Sequence, residues 1–387
     1  MSFLESLVAA FKGESPRVPL ARGAASPWFF SQCGDAGNFG GRSPFEYTQA
    51  ARRAYLENPV AQRAVRLVAE GIGGAPLRPT DAALSALVTD TSAGQSLLET
   101  LASQLLLHGN AYVQVMKDAR GRPVELFALR PERVSIIAGE DGWPSAYAYD
   151  VAGRRLSIAL LDEDASPNVI HIRHFHPADD HYGAGCLCAA DEAIATHNAA
   201  SAWNRQLLEN AARPSGALVY EGPDGSSLTG DQFDRLKAEL TAAYTGMANA
   251  GRPMLLEGGL SWQAMAMTPA DMDFATLKAA AARDIALAFG VPPMLLGLPG
   301  DATYNNYREA NRALWRLTLL PLAAKIFAAL GEGLAPWFPE ATLAIDLDRV
   351  PALAEDRERL WAQVSSADFL DAAEKRALLG LDEGNKS

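Results

Sequence analysis

The densest concentration of metal-ligating side chains is His171-Ile-Arg-His174-Phe-His176, followed by His181, Cys186 and Cys188. Histidine and thiolate are the usual zinc ligands, and a zinc ion held by three of them would activate water for hydrolysis. The spacing argues against such a site. His171 and His174 are three residues apart on an expected strand, so they point to opposite faces. Cys186-Leu-Cys188 is not the Cys-x₂-Cys pair of a zinc clasp. Histidines at a strand end and half-buried cysteines are the expectation here. A metal-dependent hydrolase using His171, His174, His176 and Cys186 stands as the alternative. No metal or cofactor is expected.

Other constellations are weaker. Gly183-Ala-Gly185-Cys-Leu-Cys188 lacks the third glycine of a dinucleotide fingerprint, and Asp191 and Glu192 would repel a pyrophosphate. No Gly-Lys dipeptide, Gly-x-Ser-x-Gly or His-Glu-x-x-His occurs. Asp162, Glu163 and Asp164, and the pair Asp179 and Asp180, read as solvated loop charge. Arg205, Lys278, Arg283, Arg308 and Arg312 are singly spaced on expected helices. They suit surface ion pairs or, alternatively, sparse phosphate contacts.

The charge balance sets a limit on partners. The chain has 387 residues, 49% hydrophobic and 21% charged, with a net charge of −12 and three cysteines. That describes a globular chain of two or three domains without a disulfide framework. A protein that grips DNA by its phosphates is normally basic, so any DNA contact here is sparse. No run of about eighteen uncharged apolar residues is present, which argues against a membrane span. The first twelve residues read as an amphipathic arm and not a signal peptide, since Glu5 replaces a basic start. Cytoplasmic synthesis is the default.

The elements follow from periodicity and punctuation. Residues 13–45 are rich in Gly, Pro and Ser and read as a flexible arm. Asn58-Pro59 has N-cap and first-turn chemistry, and Val60, Ala64, Leu67 and Val68 form an apolar face. Leu97, Leu98, Leu101 and Leu105 mark a helix over 95–108. Strands are expected at 111–116, 124–127, 133–138, 145–150, 154–160 and 168–173. An Ala-rich helix over 187–211 ends at Arg213-Pro214. A small unit follows: a strand at 216–220, a helix over 230–245 and a hairpin joining 254–256 to 260–265. Thr268-Pro269 opens another helix, with Phe274, Leu277, Ala281, Ile285 and Ala288 in one stripe and a close-approach run at 279–282.

Gly290 suits that helix's C-cap, Pro292-Pro293 stiffens the exit, and Leu298-Pro-Gly-Asp301 is turn chemistry. A helix over 303–331 is expected to bury Tyr307, Ala310, Leu314 and Leu317 and to kink at Pro321. A last helical segment covers 354–379.

The order of these motifs carries a resemblance. Leu106-Leu-His-Gly-Asn-Ala-Tyr112, Tyr182-Gly-Ala-Gly185, Ala212-Arg-Pro-Ser-Gly216, Leu255-Leu-Glu-Gly-Gly-Leu260, Ile285-Ala-Leu-Ala-Phe-Gly-Val-Pro-Pro293, Leu295-Leu-Gly297, Thr303-Tyr-Asn-Asn306, Thr318-Leu-Leu-Pro321 and Glu374-Lys-Arg-Ala-Leu-Leu-Gly380 occur in sequence. From about residue 55 onward the chain resembles portal proteins of tailed phages and phage-derived gene transfer agents.

The resemblance implies an α+β subunit without enzymatic activity. It would consist of an arm (1–45), an αβ wing (46–186), a stem helix (187–212), a small αβ clip (213–267), a second stem helix (268–291), a tunnel loop (292–306), a long kinked helix (307–340) and a short helical crown (341–387). It further implies a dodecameric ring at one vertex of the capsid, made in the host cytoplasm. The expected partners are other copies of the chain, the major capsid protein, the terminase large subunit and head-tail adaptor proteins. Double-stranded DNA would pass through without sequence recognition, and no membrane partner is implied. The tunnel loop would present Leu295, Leu296, Leu298, Pro299, Gly300 and Asp301 to DNA. Lys278, Arg283, Arg308 and Arg312 are candidate phosphate contacts. Tyr220, Arg235, Lys237 and Trp262 would belong to the docking surface of the clip.

Overall fold

A computed structural model describes residues 46–79, 81–92, 94–209, 216–220, 229–244, 260–264, 274–298 and 304–381. The expected arm at 1–45 lies outside these residues. Helix α1 (Tyr47–Tyr55) is capped by the Glu46 carboxylate, and α2 (Pro59–Gly73) by Asn58. The Asn58 side-chain oxygen accepts from the amides of Val60 and Ala61 at 3.0 and 2.9 Å, satisfying two of the amides a helix start leaves open. Strand β1 (Leu77–Pro79), helix α3 (Ala82–Thr89) and the short pair β2 (Thr91–Ser92) and β3 (Gln95–Ser96) follow. The sequence reading missed α1, α3 and these strands. Each is short, and α1 buries only Ala50 and Ala54, so its periodicity is faint. Helix α4 (Leu97–Leu107) buries all four of its expected leucines.

The expected strands then appear as β4 (Asn110–Lys117), β5 (Pro123–Leu129), β6 (Val134–Ala138), β7 (Pro144–Val151), β8 (Arg154–Ala159) and β9 (Val169–Arg173). They form two antiparallel three-stranded sheets, ordered β5-β4-β9 and β6-β7-β8. A small core of Tyr112, Leu129, Val134, Ile136, Tyr147 and Val169 joins them. The larger core lies under α1, α2 and α4 and takes one face of β4 and β9.

Helix α5 (Cys186–Glu209) packs along α7 (Phe274–Ala288), where Ala281 and Ala282 are buried, so small residues do bring the two rods together. Leu277 departs from the expected stripe and is exposed. Between the rods, β10 (Gly216–Tyr220) pairs antiparallel with β11 (Leu260–Ala264), and α6 (Gly230–Tyr244) lies between them in the chain. Strand β11 takes β10 as a partner, while residues 254–256, the other arm of the expected hairpin, fall outside the described residues. So do Thr268 and Pro269.

The long helix expected from residue 303 is α8 (Tyr304–Leu314), a π turn at Trp315–Leu319, and α9 (Leu320–Leu334). Proline lacks an amide hydrogen, and its ring collides with the carbonyl four residues earlier, here that of Leu317. A π turn relieves both by widening the spiral ahead of Pro321. It also inserts a residue and rotates the buried face. Leu319, Leu322, Ile326 and Leu330 therefore join Leu314 in facing inward, and Leu317 is 78% exposed; Tyr307, ahead of the turn, is 52% exposed, and both depart from the expectation that they are buried.

Joined into one helix, Asn305–Leu334 is long and apolar enough by length and composition to cross a membrane, which no unbroken apolar run had suggested. Its inward residues belong to the main core. Strand β12 (Leu343–Ile345) returns to pair with β1, and the final segment is two helices, α10 (Ala354–Ser365) and α11 (Ala372–Leu378). The single terminal helix is broken where Asp371 opens α11 with a reciprocal capping box to Glu374.

Candidate functional site

Two places concentrate geometry that the fold alone does not demand. The first is a buried polar clasp between the Leu107-His-Gly-Asn110 and Tyr182-Gly-Ala-Gly185 motifs. The Asn110 side chain accepts from the Gly183 amide at 2.7 Å and donates to the Gly183 carbonyl at 3.0 Å. Glycine is required because the backbones touch. A Cβ on Gly183 would overlap the carbonyl oxygen of Gly109, and one on Gly109 would overlap the backbone of Ala184.

His171 Nε2 lies 3.0 Å from the same Asn110 oxygen, so the ring donates from Nε2. The ring also stacks on Tyr112, with centroids 4.3 Å apart. Asn110 Nδ2 approaches His108 Nδ1 at 3.3 Å. Burial pushes His108 down to about 3, and burial with the nearby Arg173 charge pushes His171 to about 3. His174 is lowered to about 4 by burial and by Lys325.

The residues of the alternative metal site therefore take up separate tasks. His171 serves the clasp, and His176 Nδ1 accepts from the Ala178 amide at 3.1 Å. Cys186 is a free thiol whose pKa is pushed up by burial. Among the described residues no three His, Cys, Asp or Glu side chains gather as a metal site. Of the loop acids, Asp162 pairs with Lys117 at 2.9 Å, and Asp179 accepts from the amides of His181 and Tyr182.

The second place is the junction after α7. The helix closes with paired terminal bonds, from the Val291 amide to the Ala286 carbonyl at 2.9 Å and from the Gly290 amide to the Leu287 carbonyl at 3.0 Å. Gly290 sits at φ +66°, as its expected C-cap role requires. Its carbonyl accepts from the Thr318 hydroxyl at 2.6 Å, which ties the rod end to the π turn. Pro293–Leu296 forms one 3₁₀ turn, and Leu295 and Leu296 pack half-buried against the main core. Leu298 is half-buried too, while Pro299, Gly300 and Asp301 lie outside the described residues.

The candidate phosphate contacts divide. Arg308 pairs with Glu355, and Arg312 pairs with Glu309 and, at 2.9 Å, with Asp356. These two guanidinium groups fasten the start of the long helix to α10. Burial, and after it the charge of Lys278 half-buried on α7, lowers the pKa of His197, while Arg283 lies exposed on the same helix. In the small unit, Tyr220 is half-buried and Arg235 and Lys237 are exposed. Trp262 pairs through its backbone with Leu218, and its side chain lies outside the described residues. Sequence reasoning missed Asn110, Thr318 and Asp356. The available signal was that both halves of the clasp already stood among the ordered motifs.

Known proteins match this architecture. The family model for phage portal protein covers residues 59–380. An uncharacterized protein of Rickettsia bellii is 39% identical over 345 residues, 85% of this chain and 88% of that protein. A probable portal protein of Streptomyces phage phiC31 is 26% identical over 72% of this chain and 62% of its own length. Among solved structures, a chain from the neck of a native gene transfer agent particle, computed with C12 symmetry, is 48% identical, with TM-score 0.67 over 88% of this chain and 94% of that one. An HK97-family phage portal protein from Corynebacterium diphtheriae shares the fold at 20% identity, with TM-score 0.56 over 76% of this chain and 96% of that one. With the two rods, the small unit between them and the ordered motifs all inside the matched span, the chain belongs to the phage portal protein family.

Proposed function

We propose that the chain is the portal subunit of a gene-transfer-agent-type particle, assembled as a ring of twelve in the particle neck. The observation that carries this is the 47–48% identity to neck chains over 88% of this chain, together with the C12 symmetry of one of those necks. In this reading α5 and α7 form the stem, β10, α6 and β11 the clip, and double-stranded DNA passes along the ring axis. The clip, with Tyr220, Arg235, Lys237 and Trp262, docks the terminase and later the head-tail adaptor. The capsid protein surrounds the wing.

The acidic subunit suits a conduit. Twelve copies each carrying −12 would repel the duplex from the wall, so the polymer slides and does not bind. Because Leu295 and Leu296 pack on the core, the part of the loop left to meet DNA is Leu298–Asp301. Lys278 and Arg283 stand on the stem helix α7 and are retained as phosphate contacts, whereas Arg308 and Arg312 fasten the long helix to α10. The subunit supplies no chemistry, and the motor lies in a separate protein.

The test is imaging of the purified chain, expected to show rings with a central channel, together with deletion of Leu298–Asp301 in a producing cell. The deletion should leave rings intact and reduce packaged DNA. A purified chain that stays monomeric across conditions, or particles that package normally without it, would overturn the reading.

A further inference from the structure

The long helix presents an apolar face that no described residue of the subunit covers. Only 39% of its most apolar eighteen-residue window is buried. Between Leu317 and Leu334 the charged residues are Lys325 and Glu332 alone. The inward side of α9 is spent on the core through Leu322, Ile326, Phe327 and Leu330. The outward side carries Leu317, Pro321, Ala324 and Ala328, all exposed and spaced at helical repeats. Leu287, 80% exposed, stands one turn before Gly290, whose carbonyl ties to Thr318 beside Leu317. Two exposed leucines thus stand at one end of a strip of proline and alanine, with the exposed Lys325 at its edge. Exposed apolar surface of this kind marks an interaction site.

Two occupants fit an apolar helix face, a lipid bilayer or another protein. A bilayer is disfavoured because one side of the same helix is locked into a core of strands and helices. A rotational ring supplies the protein. A C12 arrangement needs a heterologous contact in which each copy offers one patch to a different patch of the next.

We infer that the Leu317–Ala328 face of the long helix, with Leu287 beside it, is the surface on which the neighbouring copy of this chain packs. This rests on the ring reading above and adds the location of the contact. The small side chains let the neighbour approach closely, and the leucines fill its hollows. Each contact then removes apolar surface that an isolated subunit leaves wet.

The test compares the full-length chain with Leu317→Glu and Ala324→Glu, singly and together. Both positions are exposed in the subunit, so the variants should keep the wild-type circular dichroism and melting temperature. A carboxylate buried at each contact should lower the ring-forming association constant at least about tenfold. A second measurement covers the case in which these variants misfold. The Ala324→Cys variant should react with a maleimide in dissociated subunits and be protected in rings, relative to the wild-type thiol background.

Rings from the glutamate variants equal to wild type, with the thiol of Ala324→Cys reactive in assembled rings, would overturn the inference and leave the ring reading intact. Partition of wild-type subunits into phosphatidylcholine vesicles would overturn it in favour of a bilayer. A wild-type chain that forms no ring would overturn both readings together.

Discussion

Asn110 and Gly183, 73 residues apart, bond to each other as two strands would, side-chain amide against backbone amide, at 2.7 and 3.0 Å. The pair closes the first strand of the sheet against the turn that launches the long helix α5. Asn110 also holds His171 in one tautomer, so sheet and turn share a single anchor.

Replacing Asn110 with alanine should therefore cost about 2–5 kcal/mol. It strands a buried Gly183 amide and carbonyl and the His171 donor in a site too tight for new partners. Denaturant melts of the subunit measure this. A loss under about 1 kcal/mol would mean that water enters and substitutes.

Gly183→Ala tests the same contact sterically. The added methyl overlaps the Gly109 carbonyl, which is backbone and cannot rotate away. The variant should express poorly or melt well below wild type, whereas Gly153→Ala, with open space around its Cβ, should show only the smaller strain of its positive φ. Equal melting of the two variants would contradict the clasp.

Acid should destabilise the subunit through the buried histidines. Their folded ionisation lies at about 3 to 4, below the usual 6.5, so between these values the unfolded chain binds more protons than the folded one. Stability is complete above about pH 6.5 and falls as pH drops. Each of His108, His171 and His174 contributes a slope of up to about 1.4 kcal/mol per pH unit. Unfolding free energies at about pH 7.5, 6 and 5 give the slope, and His174→Gln should reduce it.

Gly290→Val should damage the junction between the rod and the long helix. A β-branched residue resists φ +66°, and its Cβ would meet the Thr318 hydroxyl at 2.9 Å. We expect a lower melting temperature and fewer DNA-filled particles. Unchanged melting and unchanged packaging would show that the junction adapts.

The Arg312–Asp356 pair should behave as a structural fastener. Its side chains are only 20% and 28% exposed, so a double-mutant cycle should return a coupling of about 0.5–1 kcal/mol, weakened by salt. Asp356→Ala should also make α10 more sensitive to protease. A coupling near zero, with lost packaging in Arg312→Ala alone, would return Arg312 to the channel.

Local signals in the sequence are legible where the physics is local. Asn58-Pro59 caps its helix because the cap bonds span two and three residues. The α4 leucines are buried because their spacing is the pitch of a helix. Gly290 terminates a rod because only its own φ is at issue. The ordered motifs also carried the family. The sequence determined those elements, the acidic balance and the absence of familiar catalytic spacings.

Tertiary structure alone decided how they join. It bonded His171 to Asn110, turned Arg308 and Arg312 toward α10, seated Leu295 and Leu296 on the core, and rotated Leu317 outward through a π turn. Each outcome depends on a partner distant in the chain, or on strain at Pro321 that is relieved by shifting every later side chain. Neither effect leaves a trace in short-range periodicity, because the energy lies in contacts that exist only once the chain has folded.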